Sequence, residues 1–140
     1  MPGARTVAIA CCGTSAGIHG ALFAVHMRGL PVYAASFLTA ALLLVLAGLV
    51  LALRPDVREA PAATAVLFAG LLVAYAFFRH EPFDAVAAVS KATEAVGLLA
   101  CLRLMRVLRL APAPAPGALA LFILFVAAGL MVGGGHAGHG

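Results

Sequence analysis

Long apolar blocks separated by short polar stretches dominate the chain. Each block covers roughly 17–22 residues, and about 20 apolar residues are needed for an α-helix to span a bilayer. Five such blocks are present, over residues 7–27, 32–53, 62–78, 83–102 and 117–133. The pattern therefore predicts an all-α, polytopic membrane bundle of five transmembrane helices, with a four-helix core and an extra C-terminal helix.

The same pattern divides the chain into four parts. Residues 1–110 form the predicted four-helix membrane core, and residues 111–116 repeat Ala and Pro, which is typical of a stiff polyproline linker. Residues 117–133 are the fifth predicted transmembrane helix, and residues 134–140 are a Gly/His tail. We expect residues 7–27 to be a retained helix, because the apolar run before Cys11 is shorter than the core of a signal peptide.

Composition agrees with a membrane location. The chain is 64% hydrophobic and only 10% charged, whereas about a quarter of the residues in a soluble domain are charged. The net charge of +4 does not indicate nucleic-acid binding, because the basic residues lie at the ends of the apolar blocks, where they report topology.

Lysine and arginine are distributed unevenly between the two predicted faces. Most of them lie in the N-terminal segment and in the second and fourth loops: Arg5, Arg54, Arg58, Arg103, Arg106 and Arg109. The first and third loops carry only Arg28 and Arg79. Because basic residues mark the cytoplasmic face, we expect a multi-pass protein of the bacterial plasma (inner) membrane, with its N-terminus cytoplasmic and its C-terminus outside.

Two ionisable residues interrupt the fourth apolar block. Lys91 and Glu94 lie near its middle, and a charge at that depth is costly unless it faces a protein interior or a water-filled cavity. Their i,i+3 spacing brings both side chains to one face of a helix. One interpretation is an ion pair that holds the fourth helix to the first. The other is the floor of a functional pocket, with Glu94 as ligand or proton acceptor.

Histidines on the first helix complete the candidate pocket. Ser15, His19 and His26 fall near one stripe, and the predicted topology places His19 about 10 Å below His26, at a depth similar to that of Lys91. Asp84 and His80 would surround the mouth. We therefore predict an outward-facing polar pocket between helices 1 and 4. Its candidate metal ligands are His19, His26, Glu94 and His80, and its other polar members are Lys91, Asp84 and Ser15.

Imidazole and carboxylate ligands suit a transition metal. Copper is favoured, with iron, zinc or a haem held by one histidine as alternatives. The tail histidines His136 and His139 are secondary candidates, as is a Cys12–Cys101 thiol pair that would favour Cu(I). The alternative interpretation is structural: the histidines make hydrogen bonds or lie at the membrane interface, and the cysteines are apolar fillers.

Three segments together resemble a known kind of protein. They are Gly17-Ile18-His19, then His26, and Ala92-Thr93-Glu94 on the fourth helix. Over residues 15–105 the chain resembles small four-helix membrane proteins of high-GC bacteria, which carry Gly-x-His and a second histidine in the first helix and a glutamate in the fourth. Here Glu94 directly follows Ala-Thr, which departs from the spacing in those proteins. The resemblance implies that His19, His26 and Glu94 act together, and it implies no activity.

The leading functional hypothesis is binding or transfer of a transition metal. The alternatives are a small proton-coupled transporter, with Lys91 and Glu94 as its proton-sensitive pair, and a non-catalytic accessory subunit of a larger membrane complex. Catalytic triads, phosphate loops and a His-Glu-x-x-His motif are missing from the sequence, so it favours a non-enzymatic role. The expected partners are the lipid bilayer, other membrane subunits or further copies of the chain, and not nucleic acid.

Overall fold

Four α-helices make up the structured core. The computed structural model describes residues 3–29, 31–78 and 84–108 of the 140-residue chain. Its helices are α1 (Ala4–His26), α2 (Pro31–Leu53), α3 (Ala60–Phe78) and α4 (Ala85–Val107). The first four predicted helices are confirmed as helices. The predicted fifth helix, the proline linker and the Gly/His tail lie outside the described residues.

The ends of the helices differ from the predicted ends by a few residues, and local chemistry explains two of the differences. α4 starts after Asp84, whose side chain accepts a hydrogen bond of 2.7 Å from the backbone N–H of Ala87 and so caps the helix. α3 starts at Ala60 and takes Pro61 into its first turn, where the missing N–H of proline costs no hydrogen bond. At its other end α4 continues past the predicted apolar block and includes Arg103 and Arg106.

The helices form a ring in chain order. α1 packs against α2 and α4, and α3 packs against α4 and, much less extensively, against α2. Within the described residues, the backbones of the diagonal pairs α1–α3 and α2–α4 do not lie close enough to pack directly against each other. Consecutive helices joined by short loops alternate in direction, so the N-terminal end of α4 lies at the same end of the bundle as the C-terminal end of α1.

Small residues let α4 approach its neighbours closely. A Cβ atom added to Gly97 of α4 would lie 2.5 Å from the ring of Phe68 and 3.0 Å from the Cβ of Cys11. Phe68 is fully buried, so its ring has little room to move away. Gly97 therefore sets the distance between α4 and both of its neighbours.

The three cysteines lie in this packed region. Cys11, Cys12 and Cys101 are buried and carry free thiols. Cys12 also lies close to Gly48 of α2, where an added Cβ would come within 3.2 Å of the cysteine Cβ. These contacts show that the cysteines fill space between helices, as the structural interpretation of the sequence expected.

Each of the four helices is long and apolar enough to cross a membrane. Large apolar side chains cover their outer faces, for example Leu42, which is 61% exposed, and Leu99, which is 65% exposed. Outward-facing apolar residues of this kind are what contact with lipid requires. The fold is thus compatible with a multi-pass membrane protein.

Candidate functional site

Glu94 is the centre of a polar cluster between α1 and α4. Its side chain is fully buried at the middle of α4. Two hydroxyl groups donate to Oε1: Ser90 Oγ, one turn earlier on α4, at 3.1 Å and Ser15 Oγ of α1 at 3.4 Å. The Ser15 contact joins two helices that are far apart in sequence, so the carboxylate helps to fix how α1 and α4 face each other.

His19 faces the same carboxylate from α1. Its Nδ1 lies 2.8 Å from the backbone carbonyl of Ser15, and a carbonyl only accepts hydrogen bonds, so Nδ1 carries a proton. In the neutral ring the other nitrogen, Nε2, is then an acceptor. Nε2 lies 3.8 Å from Glu94 Oε1, and the two side chains are 6% and 0% exposed. When the ring is neutral, two hydrogen-bond acceptors therefore lie near each other in a buried site, and when it is protonated Nε2 is a donor that faces the carboxylate.

Lys91 neutralises the other oxygen of the carboxylate. Its Nζ lies 2.7 Å from Glu94 Oε2, in the i,i+3 arrangement that the sequence predicted. The ammonium group also lies 4.9 Å from the centre of the Tyr75 ring on α3, which is a favourable cation–π distance. The lysine side chain is 18% exposed, which makes it the most accessible of the ionisable side chains in the cluster.

An aromatic cluster lies beside His19, toward the C-terminal end of α1. Phe37 of α2 contacts the rings of both histidines of α1, with centroid distances of 6.0 Å to His19 and 5.3 Å to His26. Tyr33 packs edge-on against both Phe37 and His26, at 4.9 Å and 5.6 Å. The Nδ1 of His26 lies 2.8 Å from the carbonyl of Leu22, one turn earlier.

The structure brings together four of the residues proposed from the sequence and separates others from them. His19, Glu94, Lys91 and Ser15 form one cluster. His26 lies in the aromatic cluster, and Asp84 is an exposed helix cap. His80, His136 and His139 lie outside the described residues. Within residues 3–29, 31–78 and 84–108, no group of three or more His, Cys, Asp or Glu side chains could hold a metal ion. Cys12 and Cys101, the predicted thiol pair, are both buried with free thiols.

Three residues near the cluster were not predicted from the sequence. Ser90 has a detectable signal, since it lies four residues before Glu94 and therefore on the same helical face. Tyr75 lies on α3 and Phe37 on α2, so both are outside the two helices between which the sequence predicted the pocket. Neither aromatic carries a spacing signal, because the contacts to Lys91 and His19 come from other helices.

Comparison with known proteins does not identify the chain or its polar cluster. No family model, no curated protein and no solved structure matches the chain. Fold and cluster define its class: an all-α chain with four helices long and apolar enough to cross a membrane, and a buried His–Glu–Lys cluster between the first and fourth.

Proposed function

We propose that the chain is an integral membrane protein of the bacterial plasma membrane that binds a transition-metal ion between His19 and Glu94 and transfers it. In this proposal the N-terminus is cytoplasmic, and the ion reaches the site from the outer face, at the end of the bundle where α1 ends. The observation that carries the proposal is the placement of His19 Nε2 opposite Glu94 Oε1, 3.8 Å apart in a buried site.

The arrangement of His19 Nε2 and Glu94 Oε1 supports a bound cation. With a neutral His19 and neither a proton nor a cation between them, these two acceptors repel each other in a medium of low polarity, although Oε1 already accepts hydrogen bonds from Ser90 and Ser15. Metal–nitrogen and metal–oxygen bonds of about 2.0–2.2 Å leave room for one ion within the 3.8 Å separation. One ion bridging Nε2 and Oε1 would turn the repulsion into two bonds.

The ammonium group of Lys91 disfavours a bound cation as long as it remains paired with Glu94. With Lys91 charged, Glu94 charged and His19 neutral, the cluster is already neutral, so an added ion would leave an uncompensated charge in a region of low dielectric. The Lys91 side chain is the most exposed in the cluster, with 18% of it accessible, compared with 6% for His19 and 0% for Glu94. A long flexible lysine can swing toward a polar surface. Lys91 then acts as an internal counter-ion that the metal displaces.

Copper is the preferred ion in this proposal. Among divalent metals, a given nitrogen and oxygen site binds copper most tightly, and imidazole is a good copper ligand. His19 and Glu94 supply only two protein ligands within the described residues. Zinc in structural sites and Cu(II) in tetragonal sites both normally take four ligands, so either ion would need water or other residues to complete its shell, and the preference for copper rests on ligand affinity alone.

The decisive experiment measures metal retention in full-length chain purified in detergent without a polyhistidine tag. The reference protein carries His136→Ala and His139→Ala, so that tail histidines do not contribute to the signal. After incubation with Cu(I), Cu(II) or Zn²⁺ and removal of free ion, elemental analysis gives the bound stoichiometry. We expect one bound ion in the reference protein and loss of that ion in both His19→Ala and Glu94→Gln.

Two further variants make the result specific. His26→Ala is the matched control, because His26 lies on the same helix but in the aromatic cluster, and we expect it to retain the ion. Lys91→Gln removes the competing cation, so we expect it to bind the ion more tightly than the reference. Full retention of the ion in both His19→Ala and Glu94→Gln contradicts metal binding at this site.

A proton-coupled carrier is the second candidate, and the hydrogen-bonded ion pair supports it. Lys91 Nζ and Glu94 Oε2 lie 2.7 Å apart beside His19, so a single proton can be exchanged among these three side chains without a metal. This candidate predicts no retained metal. It also predicts that proton flux into liposomes, followed with a trapped pH-sensitive dye, is present in the reference protein and abolished in Glu94→Gln.

A further inference from the structure

The two histidines of α1 are separated by one aromatic ring. His19 and His26 lie two helical turns apart, about 10 Å along the axis. The Phe37 ring from α2 lies within contact distance of both, with centroid separations of 6.0 Å and 5.3 Å. A ring that touches two groups so far apart along one helix must lie between them.

The exposure of the two histidines differs across this ring. His19 is buried, with 5% of its surface accessible, whereas His26 is only partly buried near the end of α1. Tyr33 packs edge-on against Phe37 and His26 and holds the phenylalanine ring from the outer side. The order from the end of the bundle inward is therefore His26 with Tyr33, then Phe37, then His19 with Glu94.

We infer that Phe37 is the gate between the end of the bundle near His26 and the buried His19–Glu94 site. Rotation of its side chain opens a path along α1, and its resting position keeps water and ions away from His19. The inference deepens the proposed function and rests on it for the identity of the ion. Whether Phe37 limits the access of solvent to His19 can be tested without any metal.

The test measures the reactivity of each histidine separately. Diethyl pyrocarbonate acylates accessible neutral imidazole, and peptide mass spectrometry reports the rate at each position in the full chain in detergent. In the wild-type protein we expect His26 to react faster than His19. In Phe37→Ala we expect the rate at His19 to rise about tenfold, because opening no longer requires displacement of the ring, while the rate at His26 changes little.

Two variants control for side-chain size and position. Phe37→Leu keeps apolar bulk between the histidines, so we expect a rate at His19 close to that of the wild type. Leu42→Ala removes an exposed side chain from the same helix, where 61% of the residue is accessible, and should leave both histidines unchanged.

The buried thiols distinguish an opened gate from an unfolded bundle. Cys12 and Cys101 are both 0% exposed, so their labelling by a maleimide reports loss of the packed core. We expect no increase in thiol labelling in Phe37→Ala. An unchanged rate at His19 in that variant overturns the gate, as does equal reactivity of His19 and His26 in the wild type. A parallel rise in thiol labelling overturns it too, because His19 is then exposed by loss of packing.

Because modification of the histidines does not involve a metal, it tests the Phe37 gate separately from metal binding at His19 and Glu94. Faster modification of His19 in Phe37→Ala supports the gate even if the protein retains no copper, and the ion that passes would then be a proton.

Discussion

Two neighbouring pairs of helices differ in how they are joined. α1 and α4 share the polar cluster around Glu94 and pack closely beside Gly97. α2 and α3 make fewer contacts, and an apolar groove of about 180 Å³ runs between them, lined by Leu43, Leu46, Ala47, Val50, Ala60, Ala63, Thr64, Val66, Leu67, Gly70 and Leu71. Among the described residues that line the groove, Thr64 alone has a polar side chain, and its hydroxyl donates a hydrogen bond within its own helix, to the carbonyl of Ala60.

The difference reflects the physics of a bilayer. Apolar side chains gain little by leaving lipid for one another, so helix pairs in a membrane are held by close packing of small residues and by polar contacts. The α1–α4 pair has both kinds of interaction, and the α2–α3 pair has neither to the same degree. We therefore expect substitutions at the α1–α4 contact to cost much more than substitutions in the groove.

The largest effect is expected for Glu94→Ala. The substitution leaves the ammonium of Lys91 without its carboxylate and leaves two hydroxyl groups without their acceptor. Breaking a buried ion pair by removing one partner costs about 3 kcal/mol or more. Reversible unfolding in mixed micelles, followed by circular dichroism, measures this loss.

The matched control for Glu94→Ala is Leu67→Ala, which truncates a side chain in the groove. Because Leu67 already borders open space, we expect a loss well below that of Glu94→Ala. Equal losses in the two variants would mean that the polar cluster contributes no more than ordinary apolar packing.

The next effect is expected for Gly97→Ala. The added methyl group meets Phe68 at 2.5 Å and Cys11 at 3.0 Å, so the helices must separate, at a cost of about 1–3 kcal/mol. Gly17→Ala on α1 is the control, since an added Cβ there meets nothing within 4 Å and alanine is the better helix former. The same unfolding measurement should show Gly97→Ala destabilised and Gly17→Ala unchanged or stabilised. A second substitution, Phe68→Leu, should partly restore Gly97→Ala.

A smaller effect of the opposite sign is expected in the groove. Ala63→Leu places an apolar side chain into open space between α2 and α3, and filling a cavity without strain commonly stabilises a protein by about 0.5–1 kcal/mol. Thermal unfolding in detergent measures the change. A clear loss of stability would show that the groove must remain open.

The smallest effect is expected outside the helices, at the ion pair of Arg54 and Asp56. Arg54 donates to both carboxylate oxygens, at 3.2 and 3.0 Å, and these hydrogen bonds lower the pKa of Asp56. A carboxyl whose pKa is lowered by folding stabilises the folded state above its unfolded pKa, and this contribution disappears as the pH falls through the folded pKa.

Solvent screens this pair, because the two side chains are 64% and 65% exposed. We therefore expect Asp56→Asn to unfold at the same temperature as the wild type at neutral pH, and the two curves to coincide at acidic pH as well. A difference at neutral pH that vanished in acid would show that the loop contributes more than its exposure suggests.

The fold could be predicted from the sequence further than the site could. Apolar block length and short polar loops are properties of single segments, so the first four helices follow from the sequence directly. The end of α4 lies beyond the apolar block, because the helix continues through Arg103 and Arg106. The start of α4 was not predictable from hydropathy either, because a capping residue such as Asp84 is recognised by its hydrogen bond to the backbone N–H of Ala87.

The site depended on how the helices pack, which the sequence shows only in part. Matching depths on helices that run in opposite directions predicted that His19 and Glu94 would lie together. The same reasoning placed His26 in the pocket, whereas its ring lies against Tyr33 and Phe37 of α2. The depth of a residue in the membrane does not show in which direction its side chain points around the helix axis. The contacts of Phe37 from α2 and Tyr75 from α3 could be predicted only by knowing which helices are neighbours.

The most direct test of the account is a dipolar-recoupling measurement by solid-state NMR in lipid bilayers. The protein is labelled with ¹⁵N in the imidazole rings of histidine and with ¹³C at the side-chain carboxyl carbon of glutamate, and Glu94→Gln and His26→Ala serve to assign the signals. A measurable coupling is expected between His19 and Glu94, whose Nε2 and Oε1 atoms lie 3.8 Å apart, and it should be lost in Glu94→Gln but not in His26→Ala. A wild-type protein with no coupling between these two residues would contradict the shared site on which the proposed function depends.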